Sequence, residues 1–268
     1  MKKLFACVIS VLVLAAPLPA QPTAGGKEEK PLAGELAIAA AADLRFALDE
    51  LAKDFKTRHP AVEIKPSYGS SGSFYAMLKN EAPFDIFLSA DAQYPRKLAE
   101  AGLGADTNVF IYAVGRLAIW VPKTSRVDVR KLGMKALLGS SIRKVAIANP
   151  AHAPYGRAAE AAMKSANIYD AVQPKLVFGE NITQALQFVQ SGAADIGIIA
   201  LSLVEAPQIK NEGSYWEVPL DSYPRMEQGG LILKWTRNPA AARAFRDFLT
   251  SDAGRAGLKR FGFYFPGQ

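Results

Sequence analysis

Short apolar runs, loops of small residues and segments of helical periodicity follow one another along most of this chain. "LAIAAA", residues 36–41, reads as a buried strand. "LRFALDELAKDFKTRH" comes next, with Leu44, Ala47, Leu48, Leu51 and Phe55 on one helical face. "VEIKPSY" is the next strand and "FYAMLKNE" the next helix; "DIFLSA" and "YPRKLAEAG" repeat the unit. Further on come "KVAIAN" with "GRAAEAAMKSA", "KLVF" with "ITQALQFVQSG", and "DIGIIA". Strands that alternate with helices predict an α/β protein with mostly parallel sheets. Parallel crossovers are right-handed, so helices cover both sheet faces.

One run breaks the rhythm. "FIYAVGRLAIWVP", residues 110–122, is long for one strand and reads as a segment that leaves one lobe and enters a second. "YWEVPL" and "GGLILKW", within residues 215–235, read as the return. Two sheets joined by two crossings predict a cleft between lobes. No repeat of 20–50 residues interrupts residues 35–268.

The N-terminus has a different texture. Lys2 and Lys3 precede an apolar run, then Pro17, Pro19 and Ala20, which together read as a secretory signal peptide over residues 1–20. Residues 21–34 are polar and rich in Gly and Pro, as in a disordered leader. The single cysteine, Cys7, falls inside the signal peptide, so disulfides, thiolate zinc sites and cysteine nucleophiles are excluded from the processed chain. The net charge of +7 falls to +5 without Lys2 and Lys3. The remaining Lys and Arg are interleaved with acids, which describes a solvated surface and no nucleic-acid groove.

Four times a strand ends in small or polar residues immediately before a helix: "AAADL" (40–44), "YGSSGSF" (68–74), "NPAHAPYGR" (149–157) and "FGENIT" (178–183). Ligands of open parallel sheets sit beyond the carboxyl ends of the strands. Helix N-termini there present unpaired N–H groups and partial positive charge. Such a cluster binds an anion without Lys or Arg. "GSSG" therefore reads as an anion loop, with Ser70 and Ser71 as its hydroxyls; a linker would break the alternation, and here the loop lies within it. Plain turn chemistry is the competing reading.

No catalytic constellation competes. His59 follows a helix and reads as a C-terminal dipole partner. His152 lies in a candidate loop and reads as a surface or supporting residue, not a catalytic one. Ser70 and Ser71 have no base nearby in sequence, and no G-x-S-x-G, H-E-x-x-H or P-loop is present. Tyr75, Trp120 and Trp235 read as core or cleft edge.

These loops carry a family resemblance. "AAADL", "YGSSGSFYAML", "APFDIFLSAD", "YAVGRLAIWVP", "IANPAHAPYG", "GENITQAL", "GAADIGIIALS" and "KRFGFYFP" resemble the periplasmic molybdate-binding proteins of ABC importers, a branch of the type II solute-binding proteins, over residues 35–266. The resemblance implies a two-lobed fold closing on a tetrahedral oxyanion, with residues 35–115 and 220–268 in one lobe and 116–219 in the other. It implies ligand contacts at Ala42, Asp43, Ser71 with Ser70 beside it, and the backbone N–H groups of Tyr155 and Ile182. It further implies a periplasmic monomer without catalytic activity or cofactor, which carries molybdate and tungstate to a membrane permease. The alternative within the fold is a receptor for another small oxyanion, such as phosphate, or an organic acid. An enzyme would need a clustered acid–base pair or nucleophile. A regulator would need a DNA-binding segment and no signal peptide.

Departures from the family pattern concern three positions. Ala42 lacks a hydroxyl that some members carry, Ala200 stands where some place a ligand-binding Tyr, and Asp43 replaces a hydroxyl or Asn. An ionised carboxylate about 4 Å from a dianion costs roughly 8 kcal/mol at an effective dielectric of about 20, as much as micromolar binding is worth. Three arrangements would avoid this: Asp43 caps the helix that starts at Leu44, with Arg45 to hold it; Asp43 accepts a proton from a protonated ligand; or Asp43 coordinates the central atom of the anion. Capping preference favours the first.

Overall fold

The computed structural model describes residues 31–267, so the expected signal peptide and most of the expected leader lie outside the described residues. The chain enters β1 (Gly34–Ala41), passes through a 3-10 turn (Ala42–Leu44) into α1 (Arg45–Arg58), and returns as β2 (Val62–Gly69). Next come α2 (Ser71–Leu78), β3 (Ile86–Ser89), α3 (Gln93–Glu100) and β4 (Phe110–Gly115). Arg116 alone separates β4 from β5 (Leu117–Pro122), which belongs to a second sheet. That sheet's region adds α4 (Val129–Leu132), β6 (Val145–Ala148), α5 (Pro154–Ser165), α6 (Tyr169–Val172), β7 (Leu176–Gly179), α7 (Ile182–Gln190), β8 (Ile196–Ala200), α8 (Leu201–Val204) and β9 (Gly213–Glu217). The chain then returns to the first sheet as β10 (Met226–Ile232) and ends in α9 (Pro239–Thr250) and α10 (Asp252–Arg260).

The strand orders are β2-β1-β3-β10-β4 and β7-β6-β8-β5-β9. β1 is parallel to β2 and β3, and β6 is parallel to β7 and β8. β10 and β5 are antiparallel to both of their neighbours. Each sheet thus has one reversed strand among strands of common direction. Both reversed strands are the ones entered straight from the other sheet, with no crossover helix of their own to impose parallel pairing. The sequence run 110–122 is two strands in two sheets.

Local pattern accounts for the elements. β1 pairs on both sides and is apolar from Leu36 to Ala41, whereas β2 lies at an edge and alternates more with less buried residues. The edge position also admits Pro66, which has no N–H to give a ladder. α1 buries Ala47, Leu48, Leu51 and Phe55, each large apolar side chain stabilising by about 1.5–3 kcal/mol. Phe55 meets Phe245 of α9 edge-on at 5.2 Å, which fastens the C-terminal helices to the first lobe. The two crossings are tied together: Arg116 pairs with Glu217 and lies 4.4 Å above the ring of Tyr264.

Candidate functional site

The carboxyl ends of β1, β2, β6 and β7 lead into the 3-10 turn and into α2, α5 and α7. Their N-termini converge on one small pocket between the lobes. Ala42, Asp43, Ser70 and Ser71 line it from the first lobe, and Tyr155 and Ile182 from the second. All six residues singled out in the sequence are therefore brought together. None of the lining residues is Lys or Arg, so positive potential comes from backbone N–H groups. Larger grooves exist elsewhere, but they lack this convergence of helix ends. Among the described residues there is no group of three or more His, Cys, Asp or Glu placed to hold a metal ion.

The two serines do different work. Ser70 is the N-cap of α2; its Oγ accepts from the Ser73 N–H at 3.2 Å and lies 2.9 Å from Ser73 Oγ. Ser71 Oγ accepts from the Ala90 N–H at 2.9 Å. An oxygen so engaged keeps its own proton to donate, and Ser71 is 1% exposed. In the second lobe, Tyr155 follows Pro154, the first residue of α5, and Ile182 is the first residue of α7. N–H groups at these positions have no carbonyl partner within the helix. The Asn181 cap takes the N–H groups of Thr183 and Gln184, at 3.0 and 3.1 Å, and so does not occupy that of Ile182.

Asp43 does not cap α1. The helical path begins at Ala42, in the 3-10 turn, so the cap seat falls to Ala41 and the Asp43 side chain is carried past it. No side-chain cap bond forms at either the turn or α1, and Arg45 is exposed and takes no part. Instead Asp43 Oδ2 accepts from the Tyr155 hydroxyl at 2.9 Å and from Gln228 Nε2 at 2.6 Å. Oδ1 is buried without a hydrogen-bond partner. Burial pushes the carboxyl up to about 6, against the opposing pull of the Gln228 and Tyr155 hydrogen bonds. Burial and the neighbouring Asp43 hold the Tyr155 hydroxyl well above the usual phenol range.

Several bonds join the lobes around this group. Thr183 Oγ1 donates to Ala42 O and Ser202 Oγ to Asp43 O, each at 2.9 Å. The Gly72 N–H donates to His152 O at 2.9 Å, and Arg157 pairs with Asp91 at 2.8 Å. His152 itself contacts Glu180, with Nε2 3.0 Å from its backbone carbonyl oxygen. His59 is the C-cap of α1 and packs on Phe55. Trp120 is buried in the core, and Ala200 is buried at the end of β8 outside the pocket wall. Sequence reasoning missed Gln228, Thr183 and Ser202. Gln228 carried one weak signal, an amide just before the apolar end of β10.

Comparison with known proteins follows the same outline. Residues 36–264 match the family model described as bacterial extracellular solute-binding protein. The molybdate-binding protein ModA of Rhodobacter capsulatus is 38% identical over 233 residues, 86% of this chain and 88% of that protein. ModA of Azotobacter vinelandii is 35% identical, covering 86% and 90%. The structure of the Azotobacter vinelandii periplasmic molybdate-binding protein superposes with a TM-score of 0.80, at 33% identity over 86% of this chain and 99% of that one. The sulfate-binding protein SubI of Mycobacterium tuberculosis, 17% identical with a TM-score of 0.68, shares the fold.

Proposed function

The chain belongs to the bacterial extracellular solute-binding proteins, and on that premise we propose that it captures molybdate, and tungstate with it, in the periplasm for delivery to the permease of an ABC importer. The observation that carries this reading is the pocket between the lobes, lined by Ala42, Asp43, Ser70, Ser71, Tyr155 and Ile182 with no Lys or Arg among its lining. A tetrahedral oxyanion has acceptors in four directions and no donor need of its own when fully deprotonated. The Ser71 hydroxyl and the N–H groups of Tyr155 and Ile182 match that requirement from both lobes. Removing the anion from water is offset by fixed N–H dipoles, which need no reorganisation on closure. In this reading the protein acts as a monomer, holds no resident cofactor and performs no chemistry on its ligand.

The names of the two ModA relatives point to molybdate. The test is to isolate the protein from its own periplasm and measure bound molybdenum, tungsten, phosphorus and sulfur, followed by calorimetry with each oxyanion on the stripped protein. The expected result is tight, one-to-one binding of molybdate and tungstate. A protein that retains phosphorus or sulfur and gives no heat with molybdate would overturn the reading.

A further inference from the structure

The wall of a pocket suited to a dianion contains a carboxyl group, and its two oxygens are unequally served. Asp43 Oδ2 takes two hydrogen bonds, from Tyr155 and Gln228. Oδ1 has none, although the residue is only 1% exposed and lines the pocket. A buried acceptor without a donor is unfavourable, and a captured oxyanion brings only more acceptors. The same oxygen becomes useful if it carries a hydrogen, because a protonated carboxyl has one donor to give.

On the oxyanion reading above, we propose that Asp43 is protonated in the ligand-bound state, with Oδ1 donating its hydrogen to an oxygen of the captured dianion, so that each anion is taken up together with one proton from solvent. No covalent bond to the ligand forms or breaks. The proton neutralises the one carboxylate in the pocket wall and turns a repulsive contact into a hydrogen bond. Asp43 thereby becomes a determinant of affinity that responds to pH, although it stands where the charge of a carboxylate would exclude an anion.

The surroundings leave Asp43 as the group that titrates. Tyr155 of α5 and Tyr112 of β4 are its titratable neighbours, and both hydroxyls are held well above their usual range by burial. β10 presents Gln228, while α7 and α8 present Thr183 and Ser202 to the carbonyls of the same turn. On α1, Arg45 is exposed, and β2 ends in Gly69 at the pocket. No Lys, Arg or His is among the residues that line the pocket. Without ligand the carboxyl sits at about 6, so it is mostly ionised above neutrality. An adjacent dianion raises it further. Binding therefore takes up a proton above about pH 6 and none well below it.

Calorimetry of molybdate binding at about pH 7.5, in buffers of different ionisation heat, measures the proton directly. The expected result for the unaltered protein is uptake approaching one proton per molybdate, with affinity weakening up to about tenfold per pH unit between about pH 7 and about 8.5. Asp43→Asn should take up no proton and bind with an affinity that is level across that range. Zero uptake with pH-independent affinity in the unaltered protein overturns the proposal without any variant, as does uptake that persists in Asp43→Asn. If molybdate, tungstate, phosphate and sulfate all give no binding at any pH, the oxyanion reading itself falls and the proposal with it. That outcome is distinct from pH-independent binding.

Discussion

The Tyr155 hydroxyl, on the first turn of a second-lobe helix, donates to Asp43 Oδ2 in the first lobe at 2.9 Å, 112 positions away in the chain. The bond joins the lobes at the pocket and stabilises the ionised carboxylate. Tyr155→Phe should therefore cost about 1.5–3 kcal/mol of stability at pH 8, the range for a hydrogen bond to a charged partner. At pH 5, where Asp43 is neutral, the cost should fall to about 0.5–1.5 kcal/mol. Urea unfolding at the two pH values checks this, and equal costs would count against it.

Asp43 also sets a pH dependence of stability in the ligand-free protein. Its carboxyl is raised from 3.8 to about 6 in the folded state, so folding binds a proton between those values. The stabilisation is fully present below about pH 4 and is lost as pH rises through about 6. At 1.36 kcal/mol per pH unit the gap amounts to about 3 kcal/mol. Asp43→Asn removes the dependence. Relative to the unaltered protein, its stability should rise by up to about 3 kcal/mol on going from pH 4 to pH 8. Denaturation curves that remain parallel across this range would contradict the assignment.

Ser71→Ala should weaken oxyanion binding by about 1.5–3 kcal/mol, since it deletes the donor hydroxyl. Ser70→Ala should act differently, because Ser70 caps α2: about 1 kcal/mol of stability is lost, with a smaller effect on affinity. Calorimetry paired with thermal unfolding separates the two, and identical profiles for both variants would return the loop to ordinary turn chemistry.

Gly72 lies where the lobes touch closely. A Cβ there would lie 2.5 Å from His152 O, across the cleft, and 2.9 Å from the Tyr94 hydroxyl. Gly72→Ala should hold the cleft open and weaken ligand binding by at least about 1.4 kcal/mol, a factor of ten. Within α2 the change favours the helix by roughly 0.5–1 kcal/mol, so ligand-free stability should not fall. Small-angle scattering of the ligand-saturated variant should report a larger radius of gyration than the unaltered protein. Full closure with unchanged affinity would refute the steric account.

Sequence alone determined the alternation of strand and helix, the two-sheet architecture and the four loops that end at helix N-termini. Each rests on local physics: apolar period, small residues at turns, and the rule that ligands meet parallel sheets at their carboxyl ends. "GSSG" and "APYG" could be singled out because their phase within the alternation is visible in a few residues. The environment of Asp43 was not legible. Capping chemistry suggested a helix N-cap, but the 3-10 turn starts at Ala42, which moves the cap seat to Ala41. The partners that replace the cap are Tyr155 and Gln228, and Gln228 lies 185 positions away. Which donors meet a buried carboxylate depends on how two lobes close and how one reversed strand is inserted. Those are long-range packing outcomes that no local pattern encodes, and here tertiary structure alone decided that Asp43 is buried, doubly bonded on one oxygen and unpartnered on the other.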